Sequence, residues 1–198
     1  MSESNRNSIR ILVEEHQRIL EAVDVLHQMA IRVLREDTID IQDFRHIISF
    51  IREFADKHHH GKEEEILFKE ALNLDEPAAE KLIRHGMLVE HDLGRFHVSE
   101  IEAVVNEVEA NELEANDDSA RLTDELKVRL IGHMESYRNL LRRHIEKENA
   151  AVFSFLERSL PSEVLHSADI ATDRFEGAFE ERRREALETL GTLQDKYR

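Results

Sequence analysis

The chain contains no cysteine. That excludes disulfides, thiolate metal sites and thiol nucleophiles together, and it is compatible with a reducing compartment. It has no tryptophan, two prolines and six glycines in 198 residues. With so few breakers, and with Glu, Leu, Ala and Arg plentiful, helix is favoured throughout. No apolar run approaches the length that spans a bilayer. The opening, MSESNRNSIR, lacks the charged-then-apolar run of a secretory signal. Basic residues are in deficit: 27 Lys and Arg against 43 Asp and Glu leave a net charge of −16. So acidic a surface does not replace phosphate counterions, which argues against nucleic acid as a partner and equally against an anionic membrane. The expectation is a soluble cytoplasmic protein whose charge serves solubility. Its length suffices for one sizeable core.

Histidine is what the chain has in excess. There are twelve, and three are consecutive: His58, His59 and His60.

Apolar periodicity predicts a first helix after Asn7 and Ser8, which are suited to cap it. Ile9, Leu12, Val13, His16, Ile19, Leu20, Val23 and Leu26 follow at helical spacing. Glu36 to Asp40 breaks that helix. A second runs from about Gln42 to Leu72, and Asn73 to Pro77 forms a boundary, with Pro suited to the first turn of the next helix. A third runs from about Glu76 to Leu113, ending at the polar cluster Asn116-Asp117-Asp118-Ser119. A fourth runs from about Ala120 to Leu160, where Pro161 closes it. Long helices joined by short breaks imply an all-α, antiparallel up-down-up-down four-helix bundle over residues 1–160. Residues 161–198 form a C-terminal helical extension with a partial apolar stripe of Phe175, Phe179, Leu187, Leu190 and Leu193. This tail is expected to pack on the bundle or on a partner subunit, the latter making a homodimer. Glu180 to Glu185 reads as a solvated charged face.

The bundle carries a weak internal repeat. His59-His60-Gly61-Lys62-Glu63-Glu64-Glu65-Ile66-Leu67-Phe68 aligns with His144-Ile145-Glu146-Lys147-Glu148-Asn149-Ala150-Ala151-Val152-Phe153, keeping His, Lys, Glu and Phe in register. Glu15-His16 in the first helix matches Glu90-His91 in the third. The chain therefore reads as two hairpins, each with a lone His followed by a His-x-x-x-Glu pair. Residues four apart share a helix face, about 6 Å apart along the axis, so an imidazole and a carboxylate there can converge on one ion or on adjacent ions. Four His and two Glu result: His16, His59, Glu63, His91, His144 and Glu148. Nitrogen and carboxylate donors without sulfur suit iron, manganese or zinc. Carboxylates can bridge, so two of them at the centre favour a metal pair. Counting residues from the helix ends at about 1.5 Å each puts all six in one layer.

Glu15-His16, His59-His60-Gly61-Lys62-Glu63-Glu64 with Leu67-Phe68, Glu90-His91 and His144-x-x-x-Glu148 resemble the hemerythrin-like family, the HHE cation-binding domains. The resemblance covers roughly residues 8–160 and leaves the tail outside. It implies a four-helix bundle around two iron ions, a non-haem diiron centre bridged by carboxylates and an oxo or hydroxo group, that binds, senses, stores or processes dioxygen, peroxide or nitric oxide. Zinc or manganese in place of iron stays open. One departure is plain. Oxygen-carrying relatives have His-x-x-x-His on the third helix, and the position four before His91 is Met87. A lost imidazole there predicts an open or water-filled position, suited to chemistry more than to reversible oxygen carriage. The alternative function is a non-enzymatic iron or oxygen sensor or store; a structural-metal or metal-free bundle is third. A ferritin-like oxidase is disfavoured because that class uses Glu-x-x-His pairs.

Neighbouring residues invite plainer readings. Successive α-helical residues differ by about 100° in direction, so His58, His59 and His60 are not expected to face the core together. His58 is read as exposed or at an interface, and His60 with Glu64 as a competing pair or as groups hydrogen-bonded to ligands. Glu15 and Glu90 are read as surface residues, with a supporting role for Glu90 as the lesser option. His27 and His133 are read as packed or hydrogen-bonded. Gly61 allows either close helix approach or small-molecule entry, and Phe68 and Phe153 are read as core residues shielding the site.

Overall fold

The computed structural model describes residues 7–115 and 122–198. Helix α1 is Asn7–Glu36. Asp37 then takes a positive φ of 56°, and Asp40 caps the next helix, its carboxylate accepting from the Asp43 N–H at 3.1 Å. Helix α2 spans 41–72 and α3 spans 77–115, with Pro77 in its first turn. Helix α4 spans 124–159 and is capped by the Thr123 hydroxyl, which accepts from the Leu126 N–H. Leu160 turns extended before Pro161, as the residue preceding a proline is sterically driven to do. Helix α5 is Ser162–Lys196. The expected polar break at 116–119 and the expected start of the fourth helix at Ala120 lie outside the described residues. No described helix is long and apolar enough to cross a membrane.

The architecture is all-α: four main helices in a bundle plus the C-terminal extension. The expected capping of α1 by Asn7 and Ser8 takes another form. Both lie in its first turn, and the acceptor comes from α5: Asp169 receives the Ser8 N–H at 2.9 Å and the Ser8 hydroxyl at 2.7 Å. An anion there complements the exposed N–H groups of the helix start. The extension packs on α1 and α2, burying Leu165, Ala186, Leu190 and Leu193. At its far end Lys196 reaches Asp40 and Asp43, and the Tyr197 hydroxyl donates to Asp43.

The apolar core falls into two clusters. One holds Ile19 to Val33 of α1 with Phe44, Phe54, Val104, Leu130 and Leu141. The other holds Ile9 and Leu12 with Leu67, Phe68, Ile83, Met87, Val152 and Phe153. On each bundle helix the gap between them is where the His and Glu motifs fall. A band of buried polar residues thus crosses a core that is apolar on either side.

Three of the four bundle helices widen into π-helix beside this band, at Ile51–His60 and Glu63–Phe68, at Glu80–Met87, and at Glu148–Val152. Their i→i+5 hydrogen bonds turn the chain through fewer degrees per residue than an α-helix does. Residues adjacent in sequence therefore point in more similar directions.

Candidate metal centre

All six residues expected at the site are buried: His16, His59, Glu63, His91, His144 and Glu148. They meet in the band, together with a seventh, His60. His60, Glu63, His91 and His144 form one group, and His16, His59, Glu63 and Glu148 another. Within each, one donor atom per residue lies within 4.8 Å of all the others.

The two carboxylates lie between the imidazole sets. Glu63 Oε1 is 3.6 Å from His59 Nε2, and its Oε2 is 3.5 Å from His91 Nε2. Glu148 Oε2 is 3.1 Å from His16 Nε2, and its Oε1 is 3.2 Å from His144 Nε2. Each carboxylate thus offers one oxygen to each side. Three imidazoles serve one side, His60, His91 and His144, and two serve the other, His16 and His59.

Each ring is oriented through its other nitrogen. Nδ1 of His16 lies 3.0 Å from Asn149 Oδ1, that of His59 2.9 Å from Glu15, that of His91 2.7 Å from Glu64, and that of His144 3.0 Å from Glu90. His60 Nδ1 faces Asp56 at 3.4 Å, and Arg95 donates to both Asp56 and Glu64. An acceptor opposite Nδ1 places the ring proton there and leaves the Nε2 lone pair facing inward. Both oxygens of Glu63, both of Glu148, and Nε2 of His16 and His60 have no hydrogen-bond partner. His91 Nε2 and His144 Nε2 face each other at 3.1 Å. Buried polar atoms are ordinarily paired, and a set of inward-pointing acceptors without donors fits a pair of cations.

The electrostatics agree. Burial pushes the His59 imidazole down to about 3 and lowers His60 and His91 as well, so these rings stay neutral and able to donate. Burial and then the charge of Glu148 push the Glu63 carboxyl well above its ordinary value. Burial opposes a charged His144, but Glu148 outweighs it and raises the ring to about 9.

The hemerythrin HHE cation binding domain matches residues 7–156. The chain belongs to that family. Neither curated proteins nor solved structures give a match.

Within this hemerythrin-family bundle several plain readings need correcting. His58 is buried, not exposed, and so are His59 and His60. Three consecutive residues of α2 are enclosed because α2 has neighbours on three sides: His58 meets Phe175 and Phe179 of α5, His59 meets His16 of α1, and His60 stacks on His91 of α3 at 3.8 Å. The π-turns bring His59 and His60 close enough in direction for both to reach Glu63. Glu15 is buried as well, and Glu90 is a partner of His144 rather than a surface group. Met87 is buried in the apolar cluster that also holds Leu12, its counterpart in the repeat, and a fifth imidazole, that of His60 on α2, faces the band.

Asp56 and Asn149 were not singled out by the sequence reading. A signal existed for Asn149, which the repeat aligns with Glu64, and each supports the lone His of the other hairpin. Glu15 and Glu90 correspond in the same way, each supporting the His-x-x-x-Glu imidazole of its own hairpin. Phe153 stacks on His16 at 5.6 Å and Phe68 on His91 at 6.0 Å, shielding the band on matching sides. His27 pairs with Glu135 and His133 with His97. Both pairs lie outside the two ligand groups.

Proposed function

We propose that this hemerythrin-like chain holds two iron ions between Glu63 and Glu148 and binds or processes dioxygen, peroxide or nitric oxide there. The observation that carries the reading is the aim of the two carboxylates, one oxygen of each toward each imidazole set, with no other partner for any of the four oxygens. A single ion would leave half of those oxygens without a cation. Iron, when bound, supplies Lewis acidity and reversible electron exchange. The chain's own residues orient the donors through Glu15, Asp56, Glu64, Glu90 and Asn149, and exclude bulk water with Phe68 and Phe153.

One cavity approaches the band. A cavity of about 290 Å³ lies between α2 and α3 and reaches His60, with Ile51, Gly94, Val98 and Tyr137 among its walls. Arg52, Asp56, Lys57 and Arg95 line it as well, so its wall is part apolar and part charged.

Metal analysis and optical spectroscopy of the purified protein test the reading. Two iron equivalents per chain, with a bridge absorption band that changes on mixing with oxygen, peroxide or nitric oxide, are expected. Catalytic decay of peroxide or nitric oxide marks an enzyme, and stoichiometric consumption marks a sensor or store. A single equivalent, or two of zinc with no response, overturns the iron-pair reading.

A further inference from the structure

The family match ends at residue 156, yet the helix beyond it packs on residues that stand directly behind the candidate centre. Lys62 of α2 is fully buried, and its ammonium donates to the carboxylates of both Glu15 and Glu176. His58, one turn earlier, places Nε2 2.9 Å from Glu15 Oε1 and 3.1 Å from Glu176 Oε1. Phe175 and Phe179 of α5, stacked on each other at 4.7 Å, cover His58. Gly61 makes room for this approach, since a Cβ there would stand 3.1 Å from Phe175 Cζ. The other oxygen of Glu15, Oε2, accepts from Nδ1 of His59 at 2.9 Å. A continuous set of polar contacts therefore runs from Glu176 through Lys62 and Glu15 to a predicted ligand.

This arrangement bears on one side of the centre only. His16, His60, His91 and His144 take their Nδ1 partners from Asn149, Asp56, Glu64 and Glu90, all on α2, α3 or α4. Only His59 depends on a carboxylate that α5 helps to hold. Two carboxylates share the buried Lys62 ammonium and the His58 imidazole. Without Glu176, Glu15 must satisfy both donors alone, in a place where an underpaired buried charge is costly. Glu15 would then be drawn toward Lys62 and away from His59. Carboxylates behind a metal-bound imidazole fix its orientation and raise its basicity.

We propose that α5 is a control element for the metal pair: Glu176, acting through Lys62 and Glu15, positions His59 and governs retention of the ion on the His16/His59 side alone. The proposal rests on the two-metal reading above. Glu176, Lys62 and Glu15 are positioning residues in it.

The test loads the full chain with two equivalents of ferrous iron without oxygen and follows release of each equivalent to a chelator. In Glu176→Gln one equivalent is expected to leave about 10- to 100-fold faster than in the wild type, with the other unchanged. Lys62→Met gives a second variant with the same expected split. Lys196→Ala loosens the far end of α5 from Asp40 and Asp43 and leaves the relay intact, so it should release both equivalents at wild-type rates. Equal acceleration of both equivalents, acceleration matched by Lys196→Ala, or unchanged release in Glu176→Gln and Lys62→Met each overturns the proposal. A wild-type chain that takes up fewer than two equivalents shows instead that the two-metal reading fails, and the proposal falls with it.

Discussion

Replacing Glu63 with Met should stabilise the metal-free protein while removing its response to metal. Glu63 is fully buried, and neither oxygen has a hydrogen-bond partner. Without a cation the carboxyl is pushed far above its ordinary range by burial and by Glu148, a sign that the folded state accommodates it at a cost. An unsatisfied buried polar group costs about 1–3 kcal/mol, and Met offers a flexible apolar chain of similar size. For a chain of this length 1 kcal/mol corresponds to roughly 2–4 °C in Tm. The metal-free variant should therefore melt about 2–12 °C above the metal-free wild type. The wild type should in turn gain on metal addition, by about 2.7 kcal/mol at a hundredfold excess over Kd. The variant has lost a donor common to both sides and should gain little. Differential scanning calorimetry with and without iron reads all four states. A metal-free Glu63→Met that melts below the wild type, or a variant that keeps the full metal-induced shift, refutes the reasoning.

Two further outcomes are expected. His59→Ala leaves one imidazole on its side and His60→Ala leaves two, so metal content after desalting should fall further in the first. Wild-type metal affinity in His60→Ala would remove His60 from the donor set. Metal affinity should also rise with pH. His144 sits at about 9 in the metal-free fold against 6.5 ordinarily, so its ionic contribution to metal-free stability is complete below pH 6.5 and is lost as pH rises through about 9. Over that window a bound metal must displace the proton, and affinity should climb about tenfold per pH unit for each proton released, levelling off above it. A flat profile in competitive titrations would contradict the protonation assigned to His144.

Much of the bundle was legible because apolar periodicity and capping residues act locally. Asp40, Pro77 and Pro161 stop or start helices by their own chemistry, and the boundaries they imply fall within a residue or two of the observed ones. The site was legible through register: His-x-x-x-Glu occurs twice with matched spacing, and like positions in a repeat occupy like places. What escaped depended on contacts between distant segments. Ser8 is capped by Asp169, 161 residues away. His58 is buried only because α5 lies over it. His60 reaches the centre because α2 is π-helical there, and an α-helical wheel placed it elsewhere.

The repeat carries a consequence of its own. Two identical hairpins would give two identical ends to the centre, and nearly every pairing obeys that twofold rule: Glu15 with Glu90, Glu64 with Asn149, Phe68 with Phe153. His60 does not, since its counterpart is Ile145, which belongs to the apolar core. One side chain thus breaks the symmetry of the whole band. If the proposed metal pair binds here, the side with three imidazoles and the side with two would differ in their preference for an added electron. The repeat would then hold two unlike halves of one centre.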